Sequence, residues 1–299
     1  ASSSAPALAL RRMGDESARG ELAQLLKRLP PKLGRSQKLA RAAASRKTAP
    51  LAQLANDYLV GLLEATYAAE DELSGANFKD ETRALELLAT LDAAADWVRH
   101  RLVDARRQAG ELLEKPAEAE MQPPAVVVSR AEAAAVVRGA AASGDTAMSD
   151  EVPDYVAPEA QAVGVDEWEA LCWRRGALRY YLVSTRVKEA VARAGDDAPS
   201  RDGAAGSVAA AWSTQLAAAL AALGELLCVR AVGLPANSSQ LLQWGIYSTT
   251  HLLALAYAGE MEYFRWAAQA GGDDDGESNA RALRERARLL LHRYLFAAE

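Results

Sequence analysis

The chain has 299 residues and a formal net charge of −6, and half of it is hydrophobic while only 6% is aromatic, with alanine supplying much of the apolar share. That length suits one large or two modest domains. Cys172 and Cys228, the only cysteines, exclude a disulfide framework and a four-cysteine zinc site. Alanine is the strongest helix former, and no extended stretch alternates with a two-residue period, so the expected class is all-α. The specific expectation is an antiparallel helical hairpin followed by a C-terminal unit resembling a four-helix bundle.

Residues 1–48 read as a basic, partly extended arm. Residues 1–50 hold eleven Lys and Arg against Asp15, Glu16 and Glu21, a local charge of +8 on a chain whose remainder carries −14. A helix over "ESARGELAQLLKRL" is stopped by Pro30-Pro31. Lys27, Arg28, Lys32, Arg35, Lys38, Arg41, Arg46 and Lys47 make the arm a candidate contact for RNA, an anionic lipid surface or an acidic protein. The acid-free "ASSSAPALALRRM" has the composition of an organellar transit region or of a plain disordered terminus. It raises the expectation of a mitochondrial or other organellar interior, with the cytoplasm as the alternative.

Residues 49–115 carry the clearest pattern. Small or apolar residues recur at Leu51, Ala55, Tyr58, Leu62, Ala65 and Ala69, and again from Ala84 through Leu88, Leu91, Ala95, Val98, Leu102, Ala105 and Ala109 to Leu112. Spacings of three and four mark one face of each of two helices, and "SGANFKD" between them makes a hairpin loop. Residues 116–165 are rich in Pro, Ala, Ser and acid, and read as a linker. Within it Ser129 and Glu132 fit a capping box for one short helix, and the rest is expected to be extended over a surface or disordered.

Residues 166–299 read as four helices. The first opens at Asp166 and the second runs from Ser207 through Trp212 to Arg230. The third extends from Ser238 or Ser239 to Gly271-Gly272, and the fourth is "NARALRERARLLLHRYLF". Gly176, Gly224, Gly245 and Gly259 fall inside these helices, where glycine costs ~1 kcal/mol against alanine, and mark close helix crossings. Two runs poor in charge, 203–224 and 241–259, raise the question of a membrane. Ser213, Thr214 and Gln215 interrupt the first, and Ser248, Thr249, Thr250 and His251 the second, so buried helices are expected and no transmembrane span.

The chemistry-bearing motifs are absent. There is no phosphate-binding glycine loop, no G-x-S-x-G elbow and no H-E-x-x-H helix. Trp97, Ser248 and Leu289 stand three residues before His100, His251 and His292, where a bundle metal site needs Glu. No cofactor and no metal are expected. The remaining polar candidate is His251 with Glu225, Glu260 and Glu262, since His251, Leu255, Ala258 and Glu262 share a helix face. Such a group is a proton-transfer site or, as the blander reading, a hydrogen-bonded core histidine. Trp168 and Trp173 are candidate anchors in a core or an interface, Tyr180-Tyr181 a stacking wall or core, and "RALRERAR" at 281–288 a phosphate contact or a solvated face. The pattern as a whole suggests a non-catalytic scaffold or accessory subunit of a larger protein assembly. An RNA-associated organellar component and a small-molecule-binding or enzymatic bundle around His251 are the alternatives.

Overall fold

The computed structural model describes residues 19–24, 51–108, 156–194, 198–229, 249–269 and 277–298. These residues are overwhelmingly helical and contain no strand, so the protein is all-α. They divide into two compact units, and the division falls between Arg174 and Arg175, inside one helix.

The first unit holds a helical stretch over residues 19–24, α1 (Leu51–Gly75), α2 (Glu81–Trp97), a π-helical turn (Val98–Leu102), α3 (Val103–Gln108) and α4 (Pro158–Val163). The seam residues lie where the spacing puts them. Leu51, Ala55, Tyr58 and Leu62 on α1 are buried, as are Ala84, Leu88, Leu91 and Ala95 on α2 and Val98 and Leu102 in the π-turn. Ala69 and Ala105 are half-buried, and Ala109 and Leu112 lie outside the described residues. Glu72 pairs with Arg83 beside the connecting turn, and Tyr58 meets Trp97 edge-on at 6.5 Å farther along.

The turn is built by local polar chemistry. The Asp80 carboxylate accepts from the Arg83 amide at 3.0 Å, satisfying one of the donors that a helix start leaves open. Asn77 and Phe78 both take left-handed backbone angles, with φ of 51° and 52°. For an aromatic residue that conformation costs on the order of 1–3 kcal/mol, and burial of the Phe78 ring offsets it.

The π-turn is a feature that the spacing does not announce. Val98 N–H reaches both Ala94 O and Ala95 O, and Val103 N–H reaches back five residues to Val98 O. One extra residue in the ladder rotates the following face, so Leu102 and Val103 are both buried.

Helix α4 corrects the reading of 116–165 as extended apart from one helix near Ser129. That expected helix lies outside the described residues, and the end of the segment is helical instead. Pro158 opens α4 at its first turn. Its last carbonyls are taken by side chains from elsewhere in the unit: Arg106 donates to Gln161 O and Ala162 O at 2.7 and 2.9 Å, and Asn56 Nδ2 donates to Val163 O at 2.8 Å. Gly164 then turns the chain with φ of 108°. A Cβ there would clash only with the movable tip of the Glu167 side chain, so it is the backbone angle that requires glycine.

Helix α5 (Val165–Ala194) begins one residue before the expected Asp166. Its first ten residues belong to the first unit, where Trp168 is 2% exposed beneath the Arg99 guanidinium. Arg174 lies over the Tyr67 ring at 4.9 Å, pairs with Glu70 and donates to Leu63 O. Burial lowers its pKa from the ordinary arginine value.

The second unit holds the remainder of α5, α6 (Ala198–Ala211), α7 (Ser213–Leu227), α8 (Thr249–Gln269) and α9 (Glu277–Ala298). The expected single helix from Ser207 to Arg230 is a correction: it begins earlier, at Ala198, and bends by 81° at Trp212. Trp212 leaves helical angles (φ −106°, ψ 18°), yet its N–H still donates to Val208 O and its carbonyl still accepts from Leu216 N–H, both at 3.0 Å. Helical periodicity continues through such a bend, so the pattern of residues cannot reveal it. Helix α8 is described from Thr249, and the expected start at Ser238 or Ser239 lies outside the described residues.

Glycines set the crossings. At Gly176 a Cβ would meet Leu223 Cδ2 at 2.4 Å, joining α5 to α7. At Gly259 it would meet Leu291 Cγ at 2.7 Å, joining α8 to α9. Gly224 is buried and Gly245 is outside the described residues. Among the described residues no single helix is long and apolar enough to cross a membrane. The bent pair Gly203–Ala211 and Ser213–Leu227 meets that test only when taken together.

Candidate functional site

The second unit buries an unusual quantity of polar chemistry for an alanine-rich core: Arg175, Arg179, Ser184, His251 and Glu262 are all below 9% exposed. Arg175 and Arg179 stand one turn apart on α5, facing α7. Arg175 Nη1 donates to Glu225 Oε2 at 3.2 Å, and Arg179 donates to Gln215 Oε1 at 3.0 Å and to Arg175 O at 2.9 Å.

A second cluster joins α5 to α8. Tyr180 and Tyr257 stack with ring centroids 3.8 Å apart and an interplanar angle of 7°. Tyr180 donates to Glu260 Oε2 at 2.7 Å, and the Tyr181 and Tyr257 hydroxyls share a hydrogen bond of 2.7 Å. Burial, reinforced by the bond to Glu260, pushes the Tyr180 phenol well above its ordinary value; burial and the bond to Tyr181 do the same for Tyr257. Both phenols are therefore neutral throughout the physiological range and act as hydrogen-bonding groups.

The third cluster joins α8 to α9. Glu262, 2% exposed, accepts from Arg265 at 3.1 Å and lies 3.9 Å from Arg286. Burial raises its pKa above the ordinary carboxylate value, against the opposing pull of Arg265 and Arg286. The folded state thus binds this proton more tightly than the unfolded chain does. Its contribution to stability is greatest below the unfolded carboxylate pKa and is lost as pH rises through the folded one. Accordingly, the stability of the native protein relative to Glu262→Gln should fall as pH rises through the carboxylate range and level off above it. Paired urea titrations across pH measure this difference.

The expected constellation is thereby divided. Glu225 is engaged by Arg175, Glu260 by Tyr180, and Glu262 by Arg265 and Arg286, while His251 is buried at 4% on the shared face of α8. The arginines are what the sequence reading missed. "CWRRGALRYY" places Arg175 and Arg179 one turn apart among apolar and aromatic residues, and that is the available signal. Trp168 is a core residue of the first unit, and Trp173 is half-buried. Lys27, Arg28, Lys32, Arg35, Lys38, Arg41, Arg46 and Lys47 lie outside the described residues.

The first unit also carries a cleft of about 340 Å³ between residues 19–24 and the π-turn. Glu21, Gln24, Asp96, Trp97, His100 and Arg101 line it, and Arg101 Nε pairs with Glu21 at 3.0 Å on one side. Among the described residues no group of three His, Cys, Asp or Glu side chains is arranged to hold a metal ion. Comparisons with protein families, with curated proteins and with solved structures find no match to this chain.

Proposed function

We propose that the protein is a non-catalytic helical accessory or scaffold subunit that acts through protein–protein contacts within a larger assembly. The observation that carries this reading is the internal pairing of its polar core. Glu225, Glu260 and Glu262, the carboxylates best placed for proton chemistry, are each bonded to an arginine or tyrosine of the same unit. Such pairs fix the register between helices and leave a rigid body whose outer surface is free for partners. Tyr67, 66% exposed with Arg174 against its ring, and Leu295, 60% exposed, are the apolar side chains best placed for such contacts.

The basic arm at 1–48 supports an organellar setting, where an acidic partner protein would complement it. Native mass spectrometry of the endogenous protein after gentle lysis should find it in a complex of defined stoichiometry. A lone monomer at physiological concentration would contradict the proposal.

A further inference from the structure

The outer face of α9 is cationic. Arg281, Arg284 and Arg288 are all exposed, and spacings of three and four residues place them on one side of the helix. At 1.5 Å per residue they extend over about 10 Å. Glu285, four residues after Arg281 and three before Arg288, is exposed on the same side and leaves the three arginines in excess there. Leu283, Ala287 and Leu290 occupy the opposite side and are buried.

Beside the stripe, α8 presents aromatic rings. Tyr263 is 36% exposed, and its ring lies 5.4 Å from that of Trp266. The Arg284 guanidinium stands 5.6 Å from the Trp266 ring centroid, so the cationic row and the aromatic pair form one continuous surface. We propose that this surface binds single-stranded nucleic acid, with Arg281, Arg284 and Arg288 on successive phosphates and Tyr263 stacking a base. A row of cations tracking a backbone beside an exposed ring is the arrangement that single strands require. An acidic peptide would use the cations and leave the ring nothing to stack on. An anionic bilayer would also meet the cations but offers Tyr263 no planar base to stack on.

The test is fluorescence anisotropy of the full chain with a labelled, mixed-sequence oligonucleotide of about 20 nucleotides, as RNA and as DNA, from about 50 to 200 mM salt. Both strands should bind at the low-salt end. Substituting Arg281→Gln, Arg284→Gln and Arg288→Gln together should weaken binding at least tenfold. It should also reduce the slope of log affinity against log salt by about 2, at about 0.7 for each phosphate that no longer meets a cation. Tyr263→Ala should weaken binding about fivefold or more with the salt slope unchanged. All four side chains are exposed, and circular dichroism should confirm an unchanged fold in each variant. The proposal is overturned by no binding at low salt, or by binding that survives the triple substitution and is lost instead on neutralising Lys27 to Lys47. It is equally overturned if the triple substitution abolishes binding to polyglutamate or to phosphatidylserine vesicles and leaves the oligonucleotide bound.

Discussion

Gly206→Ala should lower the stability of the second unit by about 2 kcal/mol, although alanine in a helix is ordinarily worth ~1 kcal/mol more than glycine. The opposing force is steric and has no soft partner. A Cβ at Gly206 would stand 2.4 Å from Ala267 O and 2.8 Å from Ala267 C, both backbone atoms of α8. A flexible side chain would turn aside, whereas a helix backbone must move as a body and carry its packing with it. Gly203, three residues earlier on the same helix, has no atom within 4 Å of its would-be Cβ. Gly203→Ala should therefore stabilise by about 0.5–1 kcal/mol. Urea denaturation of the pair should give opposite signs, and equal signs would mean that α6 does not meet α8 at Gly206.

Removing the carboxylate from Glu225 should have a larger effect. Glu225→Leu leaves the Arg175 guanidinium, whose side chain is 9% exposed, without the anion it faces at 3.2 Å, and a loss of about 3–5 kcal/mol is expected. Glu225→Gln retains an acceptor at the same position and should cost about half as much. Arg175→Met with Glu225→Leu should recover most of the loss, because the pair is then replaced by apolar volume. A double-mutant cycle in denaturant separates these outcomes. Additive single effects would show that Arg175 and Glu225 do not act as a pair.

Both predictions depend on contacts between helices, and this marks how far the sequence could be read. The faces of α1 and α2 were legible because burial at Leu51, Ala55, Tyr58, Leu62, Leu88 and Leu91 follows from the helical period alone. Gly176 and Gly259 were legible as crossings, since an interior glycine persists in a helix only where something compensates its cost. Gly206 lies just before Ser207, where the pattern starts the helix, while α6 begins at Ala198 and so contains it. The bend at Trp212 and the π-turn at Val98–Leu102 left no trace in the spacing, since each alters the backbone path within a continuous apolar pattern.

The candidate site shows the same limit. Shared helix face and nearby helix ends group His251 with Glu225, Glu260 and Glu262, whereas the structure pairs each of the three carboxylates with a different residue. Distant groups supply the partners of two of them, Arg175 for Glu225 and Tyr180 for Glu260, while Glu262 has Arg265 one turn away and Arg286 from α9. The cationic row of α9 was visible as a string of charges, yet the Tyr263 and Trp266 rings beside it were brought there by the packing of α8.

By itself, then, the sequence determined that this chain is helical, where most helices run and which side of each is apolar, because propensity and periodicity act over a few residues. The tertiary structure alone decided which glycine admits a neighbouring backbone, which arginine neutralises which carboxylate, and which rings flank a cationic face. Those outcomes rest on distances between side chains tens of residues apart, fixed only once the helices have packed.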